Sequence, residues 1–307
     1  MFSNTLRSKS NNLPQLEKLY NDALKYSQEQ TYGLPSSNTL SVFENMFLQC
    51  LQIHESEQYE MLVSLKEIAD QAGFKIVRAE DKWKNTHTVI MEKDGIRRGS
   101  GFYVFKDNFR DHRPVIFQTP HARSDEYTGR ISINAYMMTT ASAFYSSTMR
   151  RDVKLADDIT DMSAADPAHN ARSYFHAASR ITAQFHPDLL MIQFHGFKKD
   201  TDVPGRQFDI IVSCGRENTA DFTKYQTLFS VIKKRFSKQM VGCFGVDTDA
   251  LGALTNIQGQ YVNNWTAGIF FHLEMDHEFR KNLVTSKKLQ QKWVKCLNKV
   301  IRTYEKF

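Results

Sequence analysis

The chain has 307 residues, with 40 lysines and arginines against 34 aspartates and glutamates, a formal net charge of +6. An apolar fraction of 41% and 22 phenylalanines suit a globular protein with a full core, and the length allows one large domain or one domain with an extension. No stretch approaches the roughly 20 apolar residues of a membrane span. The opening MFSNTLRSKSNNLPQLEKLY lacks the apolar core of a signal peptide, so no membrane association and a cytoplasmic location are expected.

In chain order, LPQLEKLYNDALKYSQ has helical spacing, TYGLPSSN is a loop, and NTLSVFENMFLQCLQIHESEQYEMLVSLKEIADQAG continues the helical pattern to a stop at Gly73. The expected division is therefore an N-terminal helical extension over residues 1–75, packed on a catalytic domain over 76–307. FKIVRAE, HTVIMEKDG and GSGFYVFKD are strands separated by turn residues such as Asp94-Gly95, and PVIFQT is a fourth. ISINAYMMTTASAFYSSTM reads as a helix. DPAHNARSYFHAASRITAQF reads as a clearer one, with Asp166 as its cap and Pro167 in its first turn. The strands DLLMIQFHG, QFDIIVSCG, MVGCFGV and TAGIFFHLEM follow, with TADFTKYQTLFSVIKKRFSKQ as a helix among them and a terminal helix over about 286–305. Strands alternating with helices imply an α/β fold, a three-layer α/β/α sandwich with a mixed, largely parallel sheet and an antiparallel edge.

Three of the apolar strands run into chemistry. PVIFQT leads to His121 with Asp125 and Glu126 behind it, LLMIQFHG ends in His195, and GIFFHLEM carries Glu274. In an open α/β sheet, ligands bind beyond the carboxyl ends of the strands, so these ends converge. Two histidines and a carboxylate are the protein ligands of a catalytic zinc site, which leaves a position for water. A further carboxylate outside the ligand set takes the water's proton.

HARSDE, IQFHGF and GIFFHLEMDHEFR, in that order, resemble the motifs of the zinc carboxypeptidases, and more closely those of the phage poly-γ-glutamate hydrolase group. The N-formylglutamate amidohydrolases are similar at greater distance. The likeness covers about residues 110–285. It implies a carboxypeptidase-like fold, one Zn2+ per chain on His121, Glu126 and His195, and Glu274 as general base. Asp125 competes with Glu126 for the ligand position. The implied reaction is hydrolysis of an amide or peptide bond in a small, peptide or poly-acidic, glutamate-like substrate.

Around this centre, His169, Arg172 and His176 fall at helical spacings of three and four, and Arg180 continues that face. Arg123, Arg172 and Arg180 are the candidates for gripping a substrate carboxylate or stabilising an oxyanion. His169, Asn256 and Arg280 are further substrate-binding candidates, with turn building as the plainer role of Asn256. His272 shares a strand face with Glu274.

Cys50, Cys214, Cys243 and Cys296 form no CxxC pair, so buried free thiols are expected rather than a zinc knuckle or a disulfide framework. Positive charge concentrates in IKKRFSKQ and KKLQQKWVKCLNKVIRTYEKF, as the solvated faces of two helices. Without basic–aromatic interleaving, nucleic acid is not an expected partner. The alternative from another class is a non-catalytic interaction or polyanion-binding protein on the same fold.

Overall fold

A nine-stranded sheet separates two layers of helices in the computed structural model, which describes residues 13–26, 32–96, 98–107, 113–156, 163–217 and 222–307. Residues 1–12 of the expected N-terminal extension thus lie outside the described residues. The strands are β1 (Phe74–Glu80), β2 (Thr86–Glu92), β3 (Phe102–Lys106), β4 (Val115–Thr119), β5 (Ala143–Ser146), β6 (Leu190–Phe197), β7 (Ile210–Ser213), β8 (Val241–Cys243) and β9 (Ile269–Asp276). Their order across the sheet is β1-β2-β3-β5-β4-β6-β9-β7-β8. β1, β2, β3 and β5 pair antiparallel and form the expected edge. β5, β4, β6 and β9 are parallel neighbours at the centre, and β7 runs against β9 with β8 parallel to it. β9 is buried along its whole length and β6 at every residue but Gly196. That is why both read as near-continuous apolar runs.

The helices are α1 (Leu16–Tyr26), α2 (Ser37–Ser56), α3 (Lys66–Ala72), α4 (Thr128–Met138), α5 (Tyr174–Phe185), α6 (Thr223–Arg235), α7 (Ile257–Trp265), α8 (His277–Thr285) and α9 (Lys287–Tyr304). One layer, with α1, α4, α6, α8 and α9, packs on the sheet face that bears Phe117, Phe194 and Phe271. The other, with α2, α3, α5 and α7, covers the face that bears Ile116, Met191 and Phe270. The N-terminal helices are part of both layers: Leu16 and Tyr20 of α1 belong to the first core, Phe43 and Phe47 of α2 to the second. α9 shows the amphipathic logic most plainly, with Trp293, Leu297, Val300 and Tyr304 buried at helical spacing and its lysines exposed or only partly covered.

Three sequence expectations change here. The stretch after Gly129 is a helix only to Met138. Thr139 and Thr140 end it, and Ala143–Ser146 joins the sheet as β5, where β-branched and aromatic-rich segments fit the pleat. α5 begins at Tyr174 with Ser173 as its cap, the Ser173 hydroxyl accepting the His176 N–H. Asp166 imitates a cap by accepting the Ala168 N–H, but the chain from there to Ser173 is a series of turns, so His169 and Arg172 precede the helix. The amide-rich stretch around Asn256 is not all turn: the Asn256 side chain accepts the Gly259 N–H and starts α7. The four cysteines are buried and lie outside any disulfide, as expected.

Phe43 is fully buried among the rings of Phe47, Phe74, Tyr103 and Tyr174. Phe43→Ala is expected to lower the unfolding free energy by about 3–5 kcal/mol, read from urea denaturation. Burial pushes His54 on α2 down from 6.5 to about 3 and His176 on α5 down to about 4. Below pH 6.5 the unfolded chain takes up protons that the folded chain refuses. Stability is therefore expected to fall as pH drops from about 6.5 towards 4, and to be untouched by these two groups above 6.5. Denaturant midpoints measured across that range check the sign.

Candidate metal centre

The face of the sheet covered by α5 and α7 changes character in rows. Side chains two apart on a strand share a face, and the central strands are in register, so each row is a line of neighbours. Ile116, Met191 and Phe270 form an apolar row. The next row towards the carboxyl ends is Gln118, Gln193, His272 and Ser213. The last holds His195 beside Glu274. All six of these polar side chains are buried. A buried polar group is costly unless it is bonded or used.

His121 joins this row from the turn after β4. The Asp125 N–H donates to the His121 carbonyl at 2.8 Å, closing a single helical turn. At about 3.6 residues per turn, position i+4 comes back over position i, whereas i+5 points well away. Asp125 Oδ2 accordingly lies 3.5 Å from His121 Nδ1 and 3.8 Å from His195 Nδ1, and it accepts the Gly196 N–H at 3.0 Å. Glu126 is turned outwards, 62% exposed, and bonded to His277 Nε2 at 2.9 Å. The carboxylate beside the histidines is thus Asp125, and the expectation for Glu126 is corrected by one position of helical phase.

The turns after residue 163 bring Asp166 over the same place. Its Oδ1 accepts from His121 Nε2 at 2.8 Å and its Oδ2 lies 3.1 Å from His169 Nδ1. Burial opposes the charge on both partners, yet the hydrogen bonds win: Asp166 is held well below the usual carboxylate range, and His121 is raised to about 9 by Asp125 and Asp166. With Nε2 given to Asp166, His121 Nδ1 faces Asp125 Oδ2 and Arg151 Nη1, each at 3.5 Å. Burial first, then the like charge of Asp125, pushes Glu274 up to about 8. Its Oε2 has no hydrogen-bond partner among the described residues. Burial lowers His195 and takes His272 down to about 3. His121, Asp125 and His195 each offer a donor atom within 4.8 Å of the others, and a second such group is His195, His272 and Glu274. Two imidazoles and a carboxylate, buried and with donor atoms this close together, are a donor set that fits zinc.

The remaining expected residues are dispersed. Arg123, two positions along the turn, lines a groove against Asn21, Leu24 and Lys25 of α1. Arg172 is exposed ahead of α5, and Arg180 is tied to Glu44 of α2 at 2.5 Å. Arg280 is buried and gives Nη1 to the Glu126 carbonyl at 2.7 Å and Nη2 to the Phe197 carbonyl at 3.1 Å, bracing the turn against β6. Asn256 Nδ2 donates to the Gln193 side-chain Oε1 at 2.6 Å, and His169 bridges Asp166 and Thr255. The arginine at the rim is Arg151, half exposed, with Nη2 3.8 Å from Asp125 Oδ1. Sequence reasoning missed Arg151 and the bonding of Asp166. No local pattern marks either, because each arrives on a long loop.

No family model and no curated protein matches the chain. Among solved structures it is similar to a bacteriophage poly-γ-glutamate hydrolase, at 14% identity over 63% of this chain and 85% of that one, with a TM-score of 0.42. It is similar to N-formylglutamate amidohydrolase from Ralstonia eutropha at 10% identity, over 64% and 94% of the two chains, with a TM-score of 0.41. A protein described as a carboxypeptidase from Burkholderia mallei is similar at 11% identity, over 80% and 67%, with a TM-score of 0.39. The first two belong to the groups whose motifs the sequence resembles. The chemistry rests on the side chains of the site itself.

A Cβ on Gly196 would collide with the Arg280 guanidinium, which is pinned to two carbonyls. Gly196→Ala is expected to destabilise the fold by about 1–3 kcal/mol. Denaturation of the variant beside Arg280→Met and the double variant checks this: relief of the clash makes the combined loss less than additive.

Proposed function

We propose that the chain is a zinc-dependent hydrolase of an amide bond in an acidic substrate. His121, Asp125 and His195 would hold the ion, one per chain. When bound, zinc supplies Lewis acidity to a water molecule and to the scissile carbonyl. Glu274 takes the proton of the attacking water as the new C–O bond forms, and passes it to the leaving nitrogen as the C–N bond breaks. Its proton affinity, near 8 in the absence of a cation, is in the range for exchange at neutral pH. Asp166 keeps its negative charge and orients His121, in the way a carboxylate behind a metal-binding histidine does.

The observation that carries this proposal is the buried Glu274 carboxyl, one oxygen unpartnered among the described residues, in register with His195 on the next strand. A structural carboxylate at such a place would be bonded. Arg151 at the rim and the net charge of +6 favour a negatively charged substrate. The amide bond and the glutamate-like class come from the three sequence motifs.

Elemental mass spectrometry of the purified protein is expected to give one zinc per chain, retained in Glu126→Ala and lost in Asp125→Ala and His195→Ala with the fold intact by circular dichroism. A wild type that stays empty after zinc is supplied and washed overturns the proposal. Glu274→Gln is expected to keep the metal and lose about 10²–10⁴-fold in turnover of an N-acyl-glutamate or γ-glutamyl peptide. Unchanged turnover in that variant removes Glu274 as the base.

A further inference from the structure

The Gln118–Gln193–His272–Ser213 row lies beneath the metal centre, and Gln193 is its hub. An amide can be turned either way round, so its direction has to come from partners that can only donate or only accept. Gln193 has three routes to such partners. The Ser179 hydroxyl donates to the Phe175 carbonyl at 2.7 Å, so it receives the Gln118 amide NH2 at 2.8 Å. Gln118 then presents its oxygen to Gln193 Nε2 at 3.0 Å. The Gln258 NH2 donates to the Pro167 carbonyl at 2.8 Å, so its oxygen also faces Gln193 Nε2, at 3.4 Å. Asn256 Oδ1 accepts the Gly259 N–H at 2.9 Å, so its NH2 points at Gln193 Oε1 at 2.6 Å. Two backbone carbonyls and one backbone N–H therefore fix the same orientation independently. The amide nitrogen of Gln193 faces Gln118 and Gln258, and its oxygen faces Asn256 and His195.

His195 Nε2 lies 2.7 Å from that oxygen. Only a protonated Nε2 can bond to it; a lone pair there would meet another lone pair in a buried site. We propose that Gln193 is a positioning residue whose oriented side-chain carbonyl holds the His195 proton on Nε2 and turns the Nδ1 lone pair towards Asp125 and His121. Nδ1 faces Asp125, but Oδ2 is 3.8 Å away, beyond hydrogen-bond reach, so the one proton of the neutral ring goes to the nearer acceptor, Gln193 Oε1. The role of this lone pair as a metal donor rests on the function proposed above, while the tautomer itself does not. The same network ties the centre to α5 through Ser179 and to α7 through Asn256 and Gln258, so both covering helices take part in aiming one imidazole.

The test is a two-bond proton–nitrogen correlation spectrum of the full chain labelled with ¹⁵N-histidine, freed of metal with a chelator, at neutral pH. The His195 signals are assigned by their loss in His195→Asn. The expected pattern is a single neutral tautomer protonated at Nε2. A tautomer protonated at Nδ1, or an even mixture, overturns the proposal without reference to any variant. Gln193→Met removes the acceptor and is expected to give mixed tautomers and a 10–100-fold weaker zinc affinity, measured by competition with a chromophoric chelator. Gln118→Met, which removes only one anchor, is the milder variant if the first does not fold, and is expected to shift the mixture in the same direction. An unchanged tautomer in a folded Gln193→Met protein assigns the control elsewhere and ends the claim for Gln193. A wild type with the expected tautomer but no zinc binding refutes the hydrolase and leaves the relay standing. Zinc binding with the wrong tautomer does the reverse.

Discussion

The parallel pairing of β6 with β9 is the constraint on which the rest of the site depends. It sets Gln193 beside His272 and His195 beside Glu274. A slip of one residue by either strand would put its two polar side chains into the face lined by Phe194, Phe271 and Leu273 and send its apolar groups the other way. The apolar face thus specifies the register, and the register aligns the polar face. Polar residues buried on a central sheet would otherwise be a liability; here they are placed by the burial of their strand neighbours.

The centre is also a balance of charge. Asp125, Asp166 and Glu274 meet His121, with Arg280 behind and Arg151 at the rim. Each carboxylate has a different answer to desolvation. Asp166 keeps its charge through bonds to two histidines and a backbone N–H. Asp125 is bonded by the Gly196 N–H and approached by two imidazoles. Glu274, with an oxygen unpartnered among the described residues, is pushed towards its neutral form by burial and by the charge of Asp125. Acids whose environments push them apart in this way can take separate roles, one holding an imidazole and another exchanging protons.

The N-terminal helices matter to the site at one remove. α2 packs against α5 through the Phe43 and Tyr174 rings, and the Arg180–Glu44 pair links the same two helices. α5 in turn carries Ser179, the anchor of Gln118. Residues far from the carboxyl ends of the strands therefore help to hold the bonded row beneath them.

Much of this was legible in the chain itself. Strand runs ending in His121, His195 and near Glu274 announce a site at the carboxyl ends of the sheet, because period and burial are local properties of sequence. So are the antiparallel edge, the amphipathic α9 and the absence of a disulfide among the four cysteines. The choice between Asp125 and Glu126 was not legible, since it depends on the phase of a single turn after β4. Nor was Asp166, whose local bond to Ala168 imitates a helix cap while its carboxylate serves His121, 45 residues away. Arg123, Arg172 and Arg180 stood out as charges near motifs and Arg151 did not; only the packing of loops and helices ties Arg180 to Glu44 and brings Arg151 to the rim. The sequence by itself determined which apolar runs are buried and, β5 apart, which of them are strands, because hydrophobic pattern acts over a few neighbours. Which polar groups then meet was decided by tertiary structure, because directional bonds depend on positions that distant parts of the chain bring together.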